Sequence, residues 1–458
     1  NQFHDIIPGS SINLVYQNTH KEYIEIHKKC DELIEKGIAT LFQKSDNSFV
    51  LSNILSYSYE GLKKIPKNFI GYSLITENND EISTQEINGE NYCQVSLPPF
   101  SFTNFRKGKK QKHQTKKQSG FVLENELVQY NFSMDGTLTS ALDKEVNKNL
   151  LSAPGNVLSL YEDRPLNWDA WDIDFYYRDS LLETARIEKI NKVQSGSVLS
   201  SLEIHYNIGN SSIKQIISLS NRSKRLDFDT IVNWHEKHKM LRVHFPTNIV
   251  SEQASFDIQY GYVKRNTHKN TSWDRAKFEV VGHKYADLSD NDYGIAILND
   301  CKYGYSIFDK TVDLNLLRSP NNPDPDADLG EHSFTYSFYP HEHDLIRSNV
   351  IEEATKLNHP PLLFDRVKNI ESKSPINFDG EGIEISAIKK SEENNEIIIR
   401  AVETLGKMSK GKIYFNGKIT ETNLMERRNL KPALRVKNSS TLTLKPFEIK
   451  TYKCALSK

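Results

Sequence analysis

Two hydrophobic periods divide the chain. Tyr23, Ile26, Cys30, Leu33, Gly37 and Leu41 recur every three or four positions, the spacing that puts side chains on one face of an α-helix. Thr19-His20-Lys21-Glu22 before them has the form of a capping box, in which hydroxyl and carboxylate each accept a hydrogen bond from the other's backbone N–H. The pattern therefore predicts a helix from Thr19 to about Gln43. A shorter helix is expected over Ile12 to Tyr16, with Ser10 or Ser11 able to accept from its free N–H groups. This reads as the end of a helical bundle whose apolar face needs partners from elsewhere.

From Ser48 the period falls to two. Asn88-Gly89, Asp135-Gly136 and Asn416-Gly417 separate short β-rich runs, the usual mark of antiparallel hairpins. The expected fold is mainly β: a helical segment over 1–47, then β-sandwich domains. A small sandwich and a basic linker are expected over 48–117, a large sandwich over 118–360 and a terminal sandwich over 361–458. Asn358-His359-Pro360-Pro361 marks the last break, and Glu396 to Ala401 alternates beyond it.

Composition narrows the function. With 458 residues the chain is too long for one ordinary core. Its 59 Lys+Arg balance 60 Asp+Glu, so no field favours nucleic acid or an anionic membrane. The basic run Arg106 to Lys117 has no interleaved aromatics and reads as a solvated linker. No apolar run approaches the ~18 residues of a membrane span. Cys30, Cys93, Cys301 and Cys454 are scattered, which suits a reducing, cytoplasmic compartment.

Chemistry concentrates in three stretches. Asn1-Gln2-Phe3-His4-Asp5-Ile6-Ile7-Pro8-Gly9-Ser10-Ser11 sets an imidazole beside a carboxylate, a pairing that serves metal binding or hydroxyl recognition. Asn156 to Arg178 packs two Trp, three Tyr and five acids into 23 residues. Sugars stack their C–H faces on aromatic rings and donate hydroxyls to carboxylates, so this composition suits a carbohydrate cleft, with Asp172 as a contact. The bland alternative is a packed corner with the acids as caps. Tyr260 to Asp274 adds Arg265, a fork of donors, and Trp273, a stacking face; an ion pair is the plainer use of Arg265. Asp324 to His332 lacks the glycine and the twelfth-position acid of a calcium loop, leaving an acidic loop over the site or a solvated turn.

The first of these stretches resembles the signature of glycoside hydrolase family 38, the zinc-dependent α-mannosidases, in its cytosolic and bacterial branch. The likeness continues through Asn156–Arg178, Gly282-His283-Lys284, Leu298 to Gly304 and Leu316 to Pro320. It implies that His4 is the last zinc ligand and that Asp5 touches sugar hydroxyls. It implies retaining hydrolysis of α-mannosidic bonds in mannose-containing oligosaccharides, with zinc as cofactor. It also implies a large β-supersandwich with small flanking sandwiches, and it leaves a homo-oligomer open. In the family a catalytic α/β barrel precedes the motif and carries the nucleophile and the acid/base. Residue 1 falls almost on the motif, so the chain reads as the C-terminal part of such an enzyme, with no catalytic carboxylate of its own and no activity alone. A non-catalytic carbohydrate-binding or assembly module, or a polypeptide that docks on a separate barrel chain, are the competing readings.

Overall fold

The computed structural model describes residues 5–111, 116–117, 120–369 and 376–456. Strands dominate, as the two-residue period requires. The chain forms two compact units: Asn1–Thr40 with His113–Asp257 and Lys264–Asn358, and Leu41–Lys112 with Ile258–Val263 and His359–Lys458.

In the first unit, a 29-residue helix spans Asn13–Leu41 and buries none of its residues. Two expectations are corrected here. There is no break at Thr19: nothing in Tyr16-Gln17-Asn18 stops a helix, so the two predicted helices are one and the Thr19–Glu22 box lies inside it. Ser10 and Ser11 do not cap it either, because their hydroxyls bond elsewhere. The apolar stripe is as predicted, and Tyr23, Ile24, Ile26 and Leu33 all remain exposed.

The rest of this unit is a β-sandwich. One sheet runs through Tyr293–Asn299, Gly330–Glu342, Leu226–Trp234, Ser211–Ser220 and Leu199–Ile208 as neighbours, all antiparallel. The other includes Val157–Glu162, Lys239–Pro246, Thr311–Arg318 and Gly304–Phe308. Phe245 of the second sheet meets Phe228, Tyr336 and Phe338 of the first, with ring centroids 5.9, 6.3 and 5.5 Å away. Each such pair contributes about 0.5–1.5 kcal/mol beyond its burial. A buried polar chain crosses the same interior. The Tyr336 hydroxyl donates to Asn156 Oδ1 (2.6 Å), and Gln215 Nε2 donates to the Tyr336 hydroxyl (2.6 Å) and to Thr230 Oγ1 (3.2 Å).

In the second unit, Phe42–Asn53 pairs with Leu362–Asn369 on one side and Ser101–Lys110 on the other. Strand structure thus begins at Phe42, and Arg106–Lys110 of the basic run prolong a paired strand instead of forming a loop. Phe49 anchors the core between Phe69 and Phe105, 4.8 and 5.2 Å away. The C-terminal sandwich packs Phe378, Ile413 and Leu442 from one sheet against Ile385, Ile399 and Tyr452 from the other. Asn88-Gly89 and Asp135-Gly136 make hairpins as expected. Asn416-Gly417 does not: Ser409–Tyr414 and Gly417–Thr422 belong to different sheets. Glycine is needed there because a Cβ would collide with the Ala455 carbonyl.

Candidate functional site

The loop before the long helix meets the turn at Trp168–Asp172 in the first unit. Trp168 has φ of 55°, and its carbonyl accepts from the N–H groups of both Trp171 (2.7 Å) and Asp172 (2.9 Å). A left-handed backbone costs a bulky residue about 1–2 kcal/mol, so something must hold the turn. Long-range bonds do this. Asp169 Oδ2 accepts from the N–H groups of Asn321 (2.6 Å) and Asn322 (3.0 Å), and the Trp171 indole N–H donates to Ser10 Oγ (2.6 Å). Ser10 N–H and the Ser11 hydroxyl both donate to the Asp5 carbonyl, at 2.9 and 2.8 Å.

These bonds assemble a groove of about 530 Å³. Asp5, Ile6, Ile12 and Val15 contribute to it from the loop and helix start, Trp168 to Trp171 from the turn, and Asn322 with Pro323 from a third segment. The two indoles sit 6.4 Å apart at 36° and stay 73% and 52% exposed. Two large exposed rings beside a carboxylate-bearing loop offer apolar faces and a hydrogen-bond acceptor together, the combination a sugar ring needs. The acidic loop borders the groove: Asp324, itself buried, accepts at Oδ2 from Asn13 Nδ2 (3.2 Å) at the helix start.

The residues singled out in the sequence fall in different places. His4 lies outside the described residues. Asp5 is half-buried and lines the groove. Asp172 is exposed and is not among the residues lining the groove; its carbonyl accepts from Arg318. Arg265, on the strand Gly261–Asn266, lies 4.7 Å over the Phe256 ring, and burial draws its pKa below the ordinary arginine value. Trp273 is 79% exposed on the short helix Ser272–Ala276, where Thr271 and Asp274 form a capping box. Neither Arg265 nor Trp273 lines the groove. Ser10 reads from sequence as a helix cap, and Trp171 and Asp169 only as part of the Asn156–Arg178 stretch, whereas the structure sets them in the groove together with Pro323.

A zinc site takes three or four protein ligands, and among the described residues no group of three or more His, Cys, Asp or Glu side chains could hold a metal ion. Asp169 is committed to backbone N–H groups. Asp5, adjacent in sequence to His4, is the carboxylate the loop brings to the groove. An imidazole and a carboxylate suit zinc in kind but fall short in number, so they fit as one edge of a metal centre.

Three family models match: the alpha mannosidase middle domain over residues 1–41, the C-terminal domain of glycosyl hydrolases family 38 over 123–326, and the C-terminal beta sandwich domain of that family over 382–452. Alpha-mannosidase G of Dictyostelium discoideum is 33% identical over 99% of this chain and 47% of its own length. Alpha-mannosidase 2C1 of Homo sapiens is 30% identical over 98% of this chain and 44% of its own length. The alpha-mannosidase of Saccharomyces cerevisiae is 30% identical over 99% and 42%. The chain thus spans less than half the length of these relatives. An Enterococcus faecalis protein of glycosyl hydrolase family 38 shares the fold, with a TM-score of 0.77 at 17% identity over 99% of this chain and 64% of that one.

Proposed function

The chain belongs to glycosyl hydrolase family 38, and from that premise we propose that it forms the non-barrel side of the substrate groove in a retaining, zinc-dependent α-mannosidase. The observation that carries this reading is the 2.6 Å bond from Trp171 to Ser10, which fixes the aromatic turn against the loop bearing Asp5. In this reading His4 supplies one zinc ligand, and Asp5 accepts a hydrogen bond from a sugar hydroxyl. Trp168 and Trp171 face the C–H side of the mannoside. Zinc, when bound, acts as a Lewis acid that holds and polarises sugar oxygens. The nucleophile and the acid/base, ~5 Å apart in a retaining enzyme, come from a barrel segment outside this chain. The four cysteines are free thiols, in keeping with a reducing, cytoplasmic setting. Among the described residues, no helix is long and apolar enough to cross a membrane.

Residues 1–458 alone and the same residues joined to a family barrel separate this from a binding module. The joined protein should contain zinc and hydrolyse an aryl α-mannoside. The chain alone should do neither, and His4→Ala in the joined protein should remove both zinc and turnover. Hydrolysis by residues 1–458 alone, or zinc retained after His4→Ala, would overturn the assignment.

A further inference from the structure

Behind the aromatic turn lies an arginine that is largely buried and does not line the groove. Arg318 ends the strand Thr311–Arg318, and only 15% of its side chain is exposed. Its Nε donates to Asp163 Oδ2 at 2.6 Å, and its Nη2 donates to the Asp172 carbonyl at 2.7 Å and the Asp169 carbonyl at 3.2 Å. One guanidinium thus grips both ends of the Trp171 segment by its main chain, while a buried carboxylate fixes the guanidinium in turn. Asp163 is itself fixed, its N–H donating to the His238 carbonyl at 2.8 Å. Three and four residues beyond Arg318, Asn321 and Asn322 donate to Asp169, and Pro323 reaches the groove.

Resting on the reading above, we propose that Arg318 is a positioning residue for the mannoside groove. It holds Trp171 where the indole can face the sugar and bond Ser10, and so sets the Asp5 loop without touching substrate. Only a planar fork can serve Asp163 and two carbonyls at once; an ammonium is a single compact point and cannot span them. Small displacements of such a wall are costly, because binding contacts act only at the right distance.

The test is a double-mutant cycle in the barrel-joined enzyme, using an aryl α-mannoside, with kcat and KM taken per folded molecule and Tm measured in parallel. Trp171→Ala should raise KM roughly tenfold, Arg318→Ala should do nearly the same, and the double variant should be little worse than either. Arg318→Lys should recover part of the loss. If Arg318→Ala does not fold, the cycle is run with Arg318→Lys. Arg318 variants that lower Tm but keep wild-type kcat and KM would make the arginine merely structural and overturn the proposal. Fully additive losses would overturn it as well, since Arg318 would then act on something other than Trp171. An inactive wild-type joined enzyme would sink the mannosidase reading instead, and a Trp171→Ala variant with wild-type KM would remove the wall that Arg318 is argued to hold.

Discussion

Two Trp-Asp pairs look alike in the sequence and behave differently in the fold. Trp168-Asp169 and Trp273-Asp274 each set a large ring beside an acid. Asp274 is satisfied within its own turn, accepting from the Thr271 N–H and hydroxyl and from Asn266. Asp169 is satisfied by backbone 152 and 153 residues away. The first arrangement makes a local cap that would form on almost any surface. The second exists only when three segments meet, and it is the one that lines a groove. Local satisfaction ends a helix; distant satisfaction builds a site.

Removing the rings themselves breaks the comparison most sharply. Trp171→Ala should weaken mannoside affinity roughly tenfold, about 1.4 kcal/mol, whereas Trp273→Ala should leave both kinetic constants unchanged. Equal losses at the two positions would place Trp273 in the site after all. The acids come next. Asp169→Ala takes the acceptor from two backbone N–H groups, the part-buried one of Asn321 and the exposed one of Asn322; the first costs about 1–3 kcal/mol, and Tm should fall by several degrees. Asp274→Ala should shift it only slightly, because its helix is short and solvated. Thermal unfolding of the two variants decides this directly.

The smallest effect is in pH. Burial raises the pKa of Asp163 behind the aromatic turn, with Arg318 opposing, whereas the Thr271 and Asn266 hydrogen bonds lower that of Asp274. A raised folded-state pKa gives a contribution complete below the unfolded value of ~3.9 and lost as pH rises through the folded one. A lowered pKa gives one present above ~3.9 and lost as pH falls. Relative to wild type, Asp163→Asn should therefore gain Tm on going from pH 3 to 6, and Asp274→Asn should lose it. Identical pH profiles would mean that neither carboxylate feels its surroundings as described.

Much of the fold could be read from spacing. The helical stripe after Tyr23 and the change to a two-residue period were both visible, because they depend on side-chain direction alone. The helix starts within a residue of the expected Ile12, but it is not split at Thr19, and Ser10 and Ser11, good caps by type, are engaged by Trp171 and the Asp5 carbonyl. The basic run differs from the expected linker because strand pairing overrides the solubility of its charges: Arg106 pairs with Ser48, and Lys107 and Lys110 pair with Leu74 and Tyr72. At the site, the stretch Asn156–Arg178 stood out by composition, but the choice of acid did not. That choice turns on the left-handed backbone of Trp168, which residues near 318–322 enforce from far along the chain.

The polar chain from Asn156 through Gln215 to Tyr336 and Thr230 also acts as an alignment key for the large sandwich. Side chains alternate faces along a strand, so sliding Ser211–Ser220 by one residue would turn Gln215 outward and take away the acceptor of the Asn156 amide N–H and the donor to the Tyr336 hydroxyl. Purely apolar interiors tolerate such shifts far better, since one aliphatic group can replace another. Four polar groups that satisfy one another in a single arrangement therefore select one pairing from many of similar hydrophobic content.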